Sequence, residues 1–110
     1  MHRFEVWAPK PQRVDLVLDG GCFPMEPGEG GWWRLDVADA GPGTRYAFSL
    51  DGGPPRPDPR SRSQPEGVSG RSEVVDPSAT TWTDQAWRGV PLPGAVLYEL
   101  HIGTFTPAGT

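Results

Sequence analysis

The side chains most able to do chemistry in this chain are scattered rather than gathered. His2 and His101 stand at opposite ends, and neither has a fixed carboxylate partner in the sequence. Asp15, Asp19, Asp36, Asp39, Asp51 and Asp58 fall mostly on outward strand positions or in turns, where solvation is the ordinary role of a carboxylate. No HxxxH pair, CxxC pair or phosphate-cradling glycine loop occurs. No catalytic residue, metal site or cofactor is therefore expected within these residues. What remains is aromatic and cationic. An exposed indole can stack on the apolar face of a sugar ring while the hydroxyls stay wet, and Trp32, Trp82 and Trp87 are the candidates. Each has a rival role in packing, against the outer surface or between domains, which is the commoner fate of such residues. Arg60 and Arg62 are either solvated or set to contact another domain, since the planar guanidinium suits carboxylates and carbonyls at an interface.

The elements that would position these groups are short strands. Phe4, Val6 and Ala8 alternate with Glu5 and Trp7 until Pro9 and Pro11 stop the ladder. Val14, Leu16 and Leu18 alternate with Asp15, Val17 and Asp19, and Asp19-Gly20-Gly21 turns the chain into a short return over 22–25. Trp33, Leu35 and Val37 share one face, leaving Trp32, Arg34 and Asp36 on the other. Tyr46, Phe48 and Leu50 follow, and Asp51-Gly52-Gly53 turns again. Eleven inward residues are expected in the core: Phe4, Val6, Val14, Leu16, Leu18, Trp33, Leu35, Val37, Tyr46, Phe48 and Leu50. Strands about ten residues apart with turns between them predict an all-β, immunoglobulin-like sandwich. A proline-rich stretch over 54–70 interrupts the pattern, and a short strand resumes near Val74.

Composition narrows the class. The 110 residues fit one modest core, and 15 Gly with 14 Pro mark a turn-dense chain. Five Trp, four Phe and two Tyr argue against disorder, because aromatics supply large buried areas. A net charge of −4 with scattered arginines argues against the basic patch that nucleic-acid binding usually requires. The single cysteine, Cys22, excludes an intrachain disulfide and suits a reducing compartment. No apolar run approaches membrane-spanning length, and the first residues lack a signal-peptide core. A cytoplasmic protein with no nucleic-acid or membrane partner is the expectation.

Val96–Phe105 mixes β-branched and aromatic residues without a helix period and reads as a buried strand entering a turn at Pro107 and Gly109. Two readings stay open: a last strand of the same domain, or the first strand of the next. Tyr98-Glu99-Leu100-His101-Ile102-Gly103-Thr104-Phe105-Thr106-Pro107 resembles the opening barrel strand of the alpha-amylase superfamily. Its form is most similar to the maltooligosyltrehalose trehalohydrolases. Phe4-Glu5-Val6-Trp7-Ala8-Pro9 resembles the start of the N-terminal domains of debranching, branching and trehalose-forming enzymes. Asp58-Pro59-Arg60-Ser61-Arg62-Ser63-Gln64-Pro65-Glu66-Gly67 and Val74-Val75-Asp76-Pro77 look like the trehalohydrolase form of a proline-rich loop. The loop form continues through Val68-Ser69-Gly70, where Ser69 departs from it, and Ala108 departs from the form of the terminal segment, Tyr98 to Gly109.

The resemblance implies a sandwich over residues 1–93, then a linker and the first strand of a catalytic (β/α)8 barrel over 94–110. It implies a parent that is a retaining glycoside hydrolase, cleaving the α-1,4 bond beside a terminal trehalose unit. Glycoside hydrolysis needs two carboxylates held across the scissile bond, and in a barrel they come from strand ends. They are expected beyond Thr110, which leaves these residues inactive alone. The domain would support its own barrel, through Arg60, Arg62, Tyr98 and His101, and shape a cleft for maltooligosyltrehalose or another α-glucan. The rivals are the N-terminal domain of a glycogen branching or debranching enzyme, and a free-standing α-glucan-binding module. Without a barrel, the terminal strand is expected to be mobile or to pair with an edge strand, in the latter case giving a tail-mediated dimer.

Overall fold

Strand formation follows the period-two pattern closely. The computed structural model describes residues 1–109. Its elements are β1 (His2–Trp7), β2 (Val14–Leu18), β3 (Gly21–Pro24), β4 (Glu26–Pro27), β5 (Trp32–Val37), β6 (Arg45–Leu50), β7 (Ser72–Glu73) and a single helical turn, α1 (Ile102–Phe105). Two antiparallel sheets result, ordered β1-β5-β4 and β3-β2-β6-β7. This is the expected all-β sandwich. Met1–Thr80 is one compact unit, and the residues from Thr81 onward form a second.

The core comes from the inward positions of both sheets. Phe4, Val6, Val14, Leu16, Tyr46 and Phe48 are buried, and Leu18, Trp33, Leu35, Val37 and Leu50 pack against them. All eleven expected residues are therefore found there. Phe4 of the first sheet meets Tyr46 of the second with ring centroids 4.9 Å apart, and Tyr46 meets Phe48 at 5.7 Å. Ala8 continues the inward set of β1, and Met25, Ala40 and Val74 complete the core; these last three stand singly in their segments, so no alternation marks them.

Turn chemistry sets the corners. Asp51 and Gly52 hold φ of 50° and 73°, and Gly53 N–H donates to Leu50 O at 2.9 Å. That is the backbone of a primed turn, and it folds the proline-rich stretch back along β6. Phe48 and Arg56 then exchange both main-chain bonds at 2.8 Å, so the stretch is packed on the sandwich rather than an open linker. Gly31 is required at φ 83°, where an added Cβ would lie 2.7 Å from Pro9 Cβ.

Two expectations change. Asp15 faces outward from β2 as the alternation requires, yet it is only 3% exposed and pairs with Arg13 at 2.8 Å. The small outward residues beside it, Ala47 and Ser49, are buried as well, so this face is shallow rather than fully solvated. The strand expected over Val96–Phe105 is not formed: 96–101 hold no regular element and 102–105 make the turn of α1. Propensity alone does not hold a strand, whose main-chain groups need a ladder, and no described residue pairs with this segment. The boundary expected at 93 falls inside the second unit, and Thr110 lies outside the described residues.

Truncating Phe48, which touches Tyr46 and lies opposite Leu16, should cost about 3–5 kcal/mol. Urea unfolding of Phe48→Ala measures it, and a loss below about 1 kcal/mol contradicts the observed register.

Candidate functional site

Alternation along β1 and β5 puts one set of side chains outside the first sheet. The register pairs Trp7 with Trp32, Glu5 with Arg34 and Arg3 with Asp36. Arg34 donates to Glu5 at 2.8 Å, and Arg3 binds both oxygens of Asp36 at 2.8 Å. The Arg3 guanidinium holds the Asp36 carboxyl below the usual range. The face thus carries an aromatic pair beside two planar ion pairs. Trp7 is 57% exposed and fixed by its indole N–H, which donates to Gly30 O at 2.9 Å. Trp33 points inward, as expected, and donates to Ala8 O at 2.9 Å. Trp32 points outward, where the Arg60 guanidinium lies 5.5 Å from its ring centroid, a cation–π distance.

Asp58 positions that arginine. Its Oδ2 accepts the Tyr46 hydroxyl at 2.8 Å and its Oδ1 accepts Arg60 N–H at 2.8 Å. Its own N–H donates to the buried Ser72 hydroxyl at 2.9 Å. Asp58 therefore adds a side-chain anchor to the main-chain bonds that Arg56 and Ser63 make with β6 and β7. Beside it opens a polar cavity of about 250 Å³, lined by Phe4, Glu5, Tyr46, Arg60, Arg62 and Glu73 among others. An apolar cavity of similar volume lies between Val6, Trp7, Ala8, Phe48 and Leu50 and the prolines Pro57 and Pro59.

The remaining predicted residues lie in the second unit. Trp82 and Trp87 are 67% and 68% exposed, and Tyr98 is 75% exposed. His101 is exposed, with Nδ1 3.1 Å from Thr104 Oγ1. Trp32, Arg60 and Arg62 thus belong to one compact unit, and Trp82, Trp87, Tyr98 and His101 to the other. Trp7 escaped the sequence reading because its exposure depends on β1 being an edge strand; its parity with Glu5 was the available signal. Among the described residues no three His, Cys, Asp or Glu converge to hold a metal ion.

Burial first, then the bond to Asp58, pushes the Tyr46 phenol well above its ordinary value of 10.0. Unfolded tyrosine ionises near pH 10, while Tyr46 in the folded domain keeps its proton to higher pH. Its contribution is therefore complete below pH 10 and drains away as pH rises from there toward the folded value. Melting temperatures at pH 8–11 should fall more steeply for the native chain than for Tyr46→Phe. The variant should lose about 1 kcal/mol at pH 8 from the missing bond. Parallel slopes for the two would refute the coupling.

Residues 1–79 match the model of carbohydrate-binding module 48 (isoamylase N-terminal domain). The malto-oligosyltrehalose trehalohydrolase of Rhizobium sp. (strain M-11) is 48% identical across 98% of this chain and 19% of its own length. That of Mycobacterium tuberculosis is 47% identical across 100% of this chain and 20% of its own. The crystal structure of an alpha amylase candidate from Salmonella typhimurium superposes with a TM-score of 0.82 at 48% identity, over 98% of this chain and 18% of that one. The chain thus spans about a fifth of the length of these relatives.

Proposed function

The chain belongs to the carbohydrate-binding module 48 family (isoamylase N-terminal domain), and from that premise we propose that it is the non-catalytic N-terminal β-domain of a malto-oligosyltrehalose trehalohydrolase. The observation that carries this reading is colinear identity: 42–48% to trehalohydrolases of several bacteria and an archaeon, over nearly the whole chain. The parent is a retaining glycosidase of the alpha-amylase superfamily that frees trehalose by cleaving the adjoining α-1,4 bond. Its nucleophile and acid lie in the barrel.

In this reading residues 94–110 are the linker and first barrel strand. The exposed apolar side chains of Val96, Leu97, Tyr98 and Ile102 support that assignment, since a strand of this composition needs neighbours on both faces. Arg60, Arg62, Tyr98 and His101 face the barrel. Trp32, Trp82 and Trp87 border the cleft and stack on glucose rings of the substrate. The exposed thiol of Cys22 fits the reducing cytoplasm. In the isolated fragment residues 96–105 are either mobile or lie against an edge strand, in the latter case one of another copy giving a weak dimer.

Two measurements test this. The purified 110-residue chain should release no trehalose from maltooligosyltrehalose, whereas the product of the whole gene should; release by the fragment alone overturns the assignment. Deleting residues 95–110 should leave the sandwich folded by circular dichroism and move the fragment toward monomer in sedimentation. Collapse of the fold on that deletion would assign the strand to the sandwich instead.

A further inference from the structure

β1 is the edge of its sheet, with β5 as its ladder neighbour. Ala8 N–H donates to Gly31 O at 2.8 Å, and the same register continues through Val6–Trp33 and Phe4–Leu35. Bonded pairs alternate along an antiparallel ladder. Phe4, Val6 and Ala8 therefore turn their main-chain groups toward β5, while Arg3, Glu5 and Trp7 turn theirs away. No described residue bonds to the main chain of those three. Three sets of N–H and C=O groups in register form an open strand template.

That edge forms one wall of the polar cavity, which His2, Arg3, Phe4 and Glu5 line. The facing wall comes from the proline-rich stretch and β7. Every carboxylate in the cavity already has partners: Glu5 receives Arg34, Glu73 receives Arg45, and Asp58 receives Tyr46 and the Arg60 amide. Arg60 and Arg62 meet no carboxylate among the described residues. Arg60 rests on the Trp32 indole instead. The slot thus pairs an unsatisfied backbone edge with two uncompensated guanidinium groups across about 250 Å³.

We infer that this slot takes an extended acidic segment of polypeptide. The segment adds as a strand beside β1, bonding the main chain of Arg3, Glu5 and Trp7, and sets carboxylates against Arg60 and Arg62. Strand addition gives affinity through main-chain bonds, and alternate side chains give specificity. Guanidinium forks supply that specificity here, because they bind carboxylates through paired, charge-assisted bonds. The occupant is a peptide rather than a glucan, because an edge of alternating N–H and C=O at strand spacing matches another backbone. The inference deepens the placing of Arg60 and Arg62 at a protein interface by naming what they bind there, an acidic strand beside β1, and it holds whichever enzyme the domain serves.

The test is an NMR titration of the ¹⁵N-labelled 110-residue chain with a blocked octapeptide of alternating valine and glutamate. The amides of Arg3, Glu5 and Trp7 should shift and gain protection from exchange. The same peptide with lysine for glutamate should bind about threefold to tenfold more weakly, as should the acidic peptide against Arg60→Gln/Arg62→Gln. Both arginines are exposed, and a dispersed spectrum checks that the double variant is folded. The acidic peptide N-methylated at alternate residues keeps its charge but lacks the ladder donors, and should not protect those amides. Equal binding of the acidic and lysine peptides overturns the proposal, as does protection by the N-methylated one. So does the absence of shifts at β1, or shifts there with maltoheptaose alone.

Discussion

The hydrogen bond from Tyr46 to Asp58 joins the interior of this domain to the proline-rich stretch on its surface. The Tyr46 ring lies between Phe4 and Phe48, and so belongs to the contact that holds the two sheets together. Its hydroxyl reaches out of that contact to the carboxylate that helps anchor the proline-rich stretch. A buried phenol needs such a partner, because burying its hydroxyl unpaired is costly. The core therefore dictates where Asp58 stands, and Asp58 dictates where Arg60 begins. Both cavities have that stretch as a wall, and the bond is one of the ties that place it, with the main-chain bonds at Arg56 and Ser63. Prolines on either side restrict the unfolded chain and keep the stretch stiff.

Charge is arranged on the same economy of geometry. Arg45 binds Glu73 at 2.8 Å and Glu66 at 3.1 Å, while Arg71 joins Glu66 to Asp19. This chain of ions links β6, β7, the end of the proline-rich stretch and the β2–β3 corner. Individually such exposed pairs contribute little. Their value lies in fixing direction: Arg45 ties β6 both to β7 and to the loop at Glu66, and Arg71 ties that loop to the β2–β3 corner. Of ten basic residues all but Lys10 are arginine, and the forked guanidinium is the cation that can bind two acids at once.

How much of this could be read from the sequence follows from the range of each interaction. Alternation is local, so β1, β2, β5 and β6 and their inward residues were legible, and so were the turns at Gly20 and Gly52. The carboxylates were not. Asp51 accepts the amides of Gln12 and Arg13, 39 and 38 residues away. Asp58 serves Tyr46, and Asp15 is buried against Arg13 on a face that looked solvated. Nothing in a window of ten residues distinguishes such ties from solvated acids. The surface was legible by halves. The parity that sends Trp32 outward also sends Trp7 there, yet the charge imbalance of the cavity emerges only when each acid is matched with its base in space.

The second unit shows the same limit from the opposite side. Trp82, Trp87, Val90, Leu92, Val96, Leu97 and Tyr98 are all largely exposed, and one turn of helix is far below the length at which helices persist alone. Burying one such side chain is worth about 1.5–3 kcal/mol, so the segment gains more from any apolar neighbour than from remaining free. Most of the apolar side chains of the sandwich are buried or packed against its core instead. The two units thus differ in kind: one carries a core of two packed sheets, and the other leaves its apolar side chains largely exposed. The strand pattern in Val96–Phe105 is then a statement about an environment, and it is fulfilled only where a neighbouring strand supplies the ladder.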